Sequence, residues 1–469
     1  MKNALISNRF IGFIALIFLF ILCFFRAPTP GLNWLLYGFG ALVITALVTE
    51  SQNLKSLVIP GIGMLACSVA VFIHSDSLAI TMTILSFGYL GVSLVIAKVD
   101  PGFGAFAGFL NFIISPFGVI IRFFQRLNTK NGKFKGLFTT LLIPIVLITF
   151  FSLLYYESSP AFKELLNAIR FEHFPQFVGT AFLGLFSASV LLYCFAPQKF
   201  NAVYDNISQK SNTISAYMGS GKYTTSWLIG VWSVVGLLAF VIISDMMMYT
   251  PSEAFPEDFS YSSYVHQGVY ASIFSIVASA ILTVLTTNYL GDQNKTPFRI
   301  ANYVFISLNM LFIFQNALRN YSYIGQYGLT EKRLVIFIYL ILCIVGLLLT
   351  VVTIAQNKSL GFLYKTNAFN VYIVLIISAL LNWSTIITKY NLNHPYGVEN
   401  HIDYDYLFSL DRSNTYLLKD HYDKFDEDLQ RRFTYRSERV LNYEAYDTRE
   451  WILSNTTSKN RLKAKAFEK

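Results

Sequence analysis

Apolar residues arrive in runs of nearly constant length, split by short polar stretches, from Phe10 to Thr388. A helix rises 1.5 Å per residue, so about 20 apolar residues are needed to cross a hydrocarbon core. The runs predict about eleven spans. They cover 10–26, 33–49, 56–74, 78–97, 136–155, 176–195, 223–245, 264–289, 299–318, 334–356 and 367–387. The fold class is therefore all-α, a polytopic transmembrane helical bundle. Beyond residue 388 the pattern changes. Leu418, Tyr422, Phe425, Leu429 and Phe433 recur at helical spacing among Lys419, Asp423, Asp426 and Arg431. That spacing predicts one amphipathic helix, with a second from Thr448 to Leu462. A tail of this length makes a small helical appendage without a large core of its own.

One stretch breaks the pattern. Gly102–Phe124 is apolar enough to span, but Pro116 and several glycines interrupt it. Lys98 flanks one end; Arg122 and Arg126 flank the other. Basic residues at both ends predict an interfacial or re-entrant segment on the cytoplasmic side. If it spans instead, every later element changes side. The expected organisation is four spans in 1–100, the re-entrant segment in 101–135, a bundle of about seven helices in 136–388 and a soluble tail in 389–469.

Charge then sets the orientation. The chain is 54% hydrophobic and 13% charged, with net charge +9. The positive excess lies in the membrane part. With the N-terminus in the cytoplasm, only Arg26, Lys163, Arg170, Arg319, Lys332 and Arg333 among the membrane-part Lys and Arg fall outside. Only this orientation satisfies the positive-inside bias. It predicts a multi-pass inner or plasma membrane protein with an extracytoplasmic tail. Membrane lipids are its expected partners, the tail is a surface for a protein partner, and nucleic acid is not expected.

Familiar chemical motifs are missing. Cys23, Cys67, Cys194 and Cys343 each sit inside an apolar run without metal spacing. Gly219-Ser-Gly221-Lys222 resembles a phosphate loop, but the pattern needs Gly at Ala216 and Ser or Thr at Tyr223. No cofactor and no metal are expected.

A polar cluster is the better signal. Asp245, His266, Gln267, Gln315, Asn316, Arg319, Tyr323, Glu331, Arg333, Asn382 and Asn391 lie on several spans, all at the extracytoplasmic end. Asp245 sits near the negative end of its helix, and Arg333 in the first turn of another. Each position disfavours its charge by about 0.3–1 kcal/mol, so a pairing of Asp245 with Arg333 or Arg319 is expected. A structural ion pair and a ligand site both fit this expectation. His266 is either a hydrogen-bonded interfacial residue or a proton-transfer group.

These residues carry a resemblance. Val265-His266-Gln267-Gly268 resembles a VHxG segment. Arg319, Tyr323 and Tyr327-Gly-Leu-Thr330-Glu-Lys-Arg333 resemble an Arg…YGLTxxR segment. Asn391 and Asp403-Tyr-Asp-Tyr406-Leu407 resemble a post-span Asn and DxxYL stretch. The family is a bacterial polytopic membrane family, domain of unknown function 4173, related to 4153. The resemblance covers Tyr223 to Leu410 and implies a fold without an activity. Three functions follow as expectations: a transporter-like protein with an outward-facing polar site, a membrane enzyme acting on a lipid-linked envelope substrate, or a non-catalytic envelope scaffold or sensor component. Whether the chain is an enzyme is left open by its sequence.

Overall fold

The computed structural model describes residues 2–49, 51–96, 99–112, 115, 173–192, 224–248, 295–356, 358, 360–395, 402–442 and 448–467. The expected spans over 136–155 and 264–289 lie outside these, as do His266, Gln267 and most of the segment 113–135. Every described element is a helix, with no strand among the described residues. In chain order they are α1 (Lys2–Phe24), α2 (Leu32–Val48), α3 (Val58–His74), α4 (Ser77–Ser93) and α5 (101–112). Then come α6 (Phe174–Leu192), α7 (Thr224–Met248), α8 (Lys295–Tyr327), α9 (Glu331–Ala355), α10 (Leu360–Leu380) and α11 (Trp383–Asn393). The last are α12 (Tyr404–Ser409), α13 (Thr415–Leu418), α14 (Glu427–Leu441) and α15 (Leu453–Phe467).

Among the described residues, Leu54–His74, Thr296–Tyr327, Glu331–Ala355 and Gly361–Leu380 are long and apolar enough to cross a membrane. Asn8–Phe24, Leu32–Val48, Ser77–Ser93, Gln176–Leu192 and Leu228–Ser244 are shorter apolar helices. The protein is an all-helical protein with membrane-type helices.

The chain divides into two compact units. The first contains residues 1–201, 375–381 and 441–460. Its core includes Leu16, Met64, Leu90 and Leu191, all fully buried. Glycines let its helices approach closely, as small residues do where lipid supplies no hydrophobic drive. A Cβ on Gly91 of α4 would lie 2.4 Å from the Val190 carbonyl oxygen, and one on Gly108 of α5 2.6 Å from the Gly88 carbonyl carbon. Polar bonds add to this packing. Asn111 Nδ2 donates to the same Val190 oxygen at 2.8 Å, and Tyr37 and Ser187 hydroxyls lie 2.8 Å apart. At the far end of α1, buried Asn33 organises the turn into α2. It accepts from Gly31 N–H at 2.9 Å and donates to Ala27 and Thr29 carbonyls at 2.8 and 2.9 Å.

The second unit contains residues 202–374, 382–440 and 461–469. α8 is its axis. One face packs Phe298, Ala301, Phe305 and Phe312 on Val231, Val235, Leu238 and Ile242 of α7. Another packs Ile306 and Ile313 on Ile336, Leu340, Leu347 and Ile354 of α9.

Two expectations are corrected. The apolar run 367–387 is not one helix: α10 ends at Leu380, and the Asn382 side chain accepts Thr385 N–H at 3.1 Å to start α11. An Asn side chain competes with the helical ladder for backbone donors, which is why it favours such starts. The expected helix through Leu418 and Phe433 is also broken. A 3-10 turn over Lys419–Lys424 leads to extended Phe425, and Asp426 caps α14 by accepting Leu429 N–H at 2.8 Å. The apolar residues still meet, because the rings of Tyr422, Phe425 and Phe433 pack in space.

Candidate functional site

The polar residues concentrate on α8 and its turn into α9. The hydrophobic pattern of α8 ends near Leu318, yet the helix runs on to Tyr327. One face of this helix is lined with buried amides. Asn302, Asn309, Asn316 and Asn320 are each at most 1% exposed. The first three recur every seven residues and so share one face of the helix. Asn309 and Asn316 donate to the carbonyls of Phe305 and Phe312, one turn back, at 2.9 and 2.8 Å. Gln315 reaches across to the Ile242 carbonyl of α7 at 2.9 Å. Arg319, only 4% exposed, donates through Nη1 to Asn316 Oδ1 at 3.3 Å. Polar side chains at membrane depth are costly and tend to mark function or inter-helix bonding.

The turn itself is tightly specified. Gly328 has φ 75°, a left-handed conformation that costs glycine nothing. Thr330 caps α9 by accepting Arg333 N–H at 3.4 Å. Between them Leu329 is clamped by Asn391 of α11. The Asn391 amide accepts Leu329 N–H at 2.7 Å and donates to the Leu329 carbonyl at 2.9 Å. Tyr406 of α12 accepts Glu331 N–H at 3.0 Å, and burial pushes its phenol above the usual range. Asn320 donates to the Arg333 carbonyl at 2.9 Å.

Arg333 finds a partner of a kind the sequence did not suggest. Its position in the first turn of α9 opposes that helix's dipole. Its guanidinium turns back instead onto the C-terminal carbonyls of α8, Tyr327 at 2.8 Å and Gly328. That end of α8 is the negative end of a long helix, where a cation gains about 0.3–1 kcal/mol. The Tyr323 ring centroid lies 4.0 Å below the guanidinium and adds a cation–π contact. The charge is therefore compensated by one helix terminus for its position at another.

The structure thus joins Tyr323 and Arg333 directly and sets Asn391 on the same turn, with Arg319 four residues before Tyr323 on α8. Glu331 contributes its backbone N–H, and its side chain is exposed. Asn382 stands apart, at the other end of α11, nine residues or about 13 Å of helix from Asn391. There it donates to Ser413 at 3.1 Å. Asp245 lies on α7, and its side chain is outside the description, as is all of His266. The pairing expected for Asp245 is thus untouched by these observations.

Sequence reading missed two sets of residues. Asn302 and Asn309, which continue the already expected Asn316 as a heptad, were visible as a spacing. Arg436 of α14 was not. It donates to the carbonyls of Phe408, Leu410 and Asp411 at 2.6, 3.0 and 2.7 Å, to Asn414 Oδ1 at 2.6 Å and to Thr415 Oγ1 at 2.9 Å. Burial lowers its pKa to about 10, so it stays charged at neutral pH. Among the described residues no three His, Cys, Asp or Glu side chains are grouped to hold a metal ion.

A family model described as Domain of unknown function (DUF4153) matches residues 13–420, from α1 into the 3-10 turn before α14. The Arg319…Arg333 segment, Asn391 and Asp403–Leu407 all fall within that match. No curated protein and no solved structure matches the chain.

Proposed function

We propose, from the premise that this chain belongs to the DUF4153 family, that it is a transporter-like membrane protein whose polar solute follows the amide face of α8. The observation that carries the reading is the row from Asn302 to Arg319 on a membrane-length helix, buried throughout. Its residues cover 17 steps of helix, about 26 Å, which is most of a hydrocarbon core. Amides are suited to handing a polar solute along such a depth, since each offers both donor and acceptor. The orientation with an outward-facing Arg319, a bacterial inner membrane as its site, and closer kinship to the 4173 relatives belong to this same proposal. The test is uptake into proteoliposomes across a panel of polar and anionic solutes. Flux above empty vesicles that is lost in Asn309→Leu supports it, and no flux for any solute counts against it.

A scaffold role has one observation in its favour. Asn391 and Arg436 spend their polar groups on their own backbone. An enzyme reading needs His266 as acid or base with Arg319 and Arg333 as an anion clamp. The engagement of Arg333 with two carbonyls and a ring weakens that clamp.

A further inference from the structure

Helix α15 carries Lys459, Arg461, Lys463 and Lys465 and no Asp or Glu. Its lead-in is fastened to helix ends of the first unit. Arg449 donates to the Leu22 carbonyl near the end of α1. Leu32 N–H, the first of α2, donates to the Trp451 carbonyl at 3.0 Å. Glu450 accepts Thr29 N–H at 3.1 Å, and the Trp451 ring meets Phe72 near the end of α3 edge-on, centroids 5.4 Å apart. The end of α3 is the end of a helix long and apolar enough to cross a membrane. With α3 read as a membrane span, the chain enters α15 close to that span's end, the level at which headgroups meet hydrocarbon. Trp451 and Leu453 remain 37% and 38% exposed there, as suits residues that seat in the interface.

We propose that α15 is a headgroup-binding helix that takes anionic phospholipid. Ser458 and Leu462, four residues apart, are both buried and mark one seam of the helix. Lys459 and Lys463 follow that seam on one flank, which leaves cationic positions beside it rather than beneath it. Arg461 is engaged by Tyr416, with its Nη1 2.5 Å from the hydroxyl and its guanidinium 4.8 Å from the ring centroid, while Lys463 is exposed. A helix with four cations and no acid repels other cationic surfaces and attracts phosphate diesters. The aromatic and apolar residues at its start point to a lipid surface over a soluble polyanion.

The test uses the full-length chain in detergent, titrated with phosphatidylglycerol or phosphatidylcholine while its melting temperature is followed. Phosphatidylglycerol should raise the melting temperature of the wild type, and phosphatidylcholine should raise it much less. In K463Q/K465Q the half-maximal phosphatidylglycerol concentration should rise about tenfold or more, as expected from two lost charges near an anionic surface. Native mass spectrometry of the wild type should show retained phosphatidylglycerol in preference to phosphatidylcholine, a readout that does not depend on the variant folding. Equal response to the two lipids, an unchanged midpoint in a folded K463Q/K465Q, or equal protection by soluble dextran sulfate would each overturn the proposal.

Discussion

Side chains that look chemical in the sequence act here largely on backbone. Asn391 was read as a site residue, and it holds both polar groups of Leu329 while only 1% exposed. Stranding a buried donor and acceptor costs about 1–3 kcal/mol each, so Asn391→Ala should destabilise the protein by about 2 kcal/mol or more. Asn391→Asp should do no better, because a carboxylate would face the Leu329 carbonyl. Thermal melting in detergent checks both. Arg436→Lys should also destabilise, although it keeps the charge. A single ammonium cannot replace a fork that satisfies five acceptors, and about 1.5–3 kcal/mol is expected for each charged hydrogen bond lost. Faster proteolysis within 404–441 than in the wild type would report that loss, and equal cleavage would deny it. The residue types in these motifs were legible in the sequence. Their tasks were not, because the partner atoms are main-chain atoms that composition does not reveal.

At the scale of elements, close approach and capping decide where helices sit and stop. The α4–α5 crossing depends on paired glycines, and the atom met by a Cβ on Gly108 is backbone that cannot rotate away. Gly108→Ala should therefore lower thermal stability markedly. Gly236→Ala in α7 is the matched control. Nothing lies within 4 Å of that Cβ, and Ala is favoured over Gly in a helix by about 1 kcal/mol. A stable Gly108→Ala with a damaged Gly236→Ala would refute this account of the packing. Capping sets the start of α14. Asp426→Ala should cost about 1 kcal/mol by removing the acceptor for Leu429 N–H, with the loss appearing as increased amide exchange in the first turn of α14. Hydrophobic spacing alone ran the helix through this point, since the apolar residues converge whether or not the backbone is continuous.

For the whole molecule the open quantity is orientation. Reporters inserted after Lys130 and after Lys210 should behave as cytoplasmic. A reporter fused at the C-terminus should be active only on the far side of the membrane. Fusion at Thr388 would be a poor choice, because Thr388 is fully buried and accepts from Asn414 at 2.7 Å. If the C-terminal reporter is cytoplasmic while Lys130 stays inside, a span between them has been miscounted. If the Lys130 reporter changes side together with the C-terminal one, Gly102–Phe124 crosses the membrane.

Hydropathy by itself determined the class of this protein: all-α, with four of the described helices long and apolar enough to cross a membrane. Burial in lipid demands internal backbone hydrogen bonding, and a run of suitable length has no other regular way to obtain it within one segment. The order of the helices was also in the sequence, because each apolar run is a local property. Tertiary structure decided the rest. It ended α10 before Asn382, carried α8 past its apolar pattern to Tyr327, and gave Arg333 the carbonyl end of α8 in place of an acid. It also brought Asn391 and Tyr406 to a turn some sixty to seventy-five residues earlier in the chain. Such choices depend on which groups meet in three dimensions, and a pattern of hydrophobic and polar letters records only what each residue prefers alone.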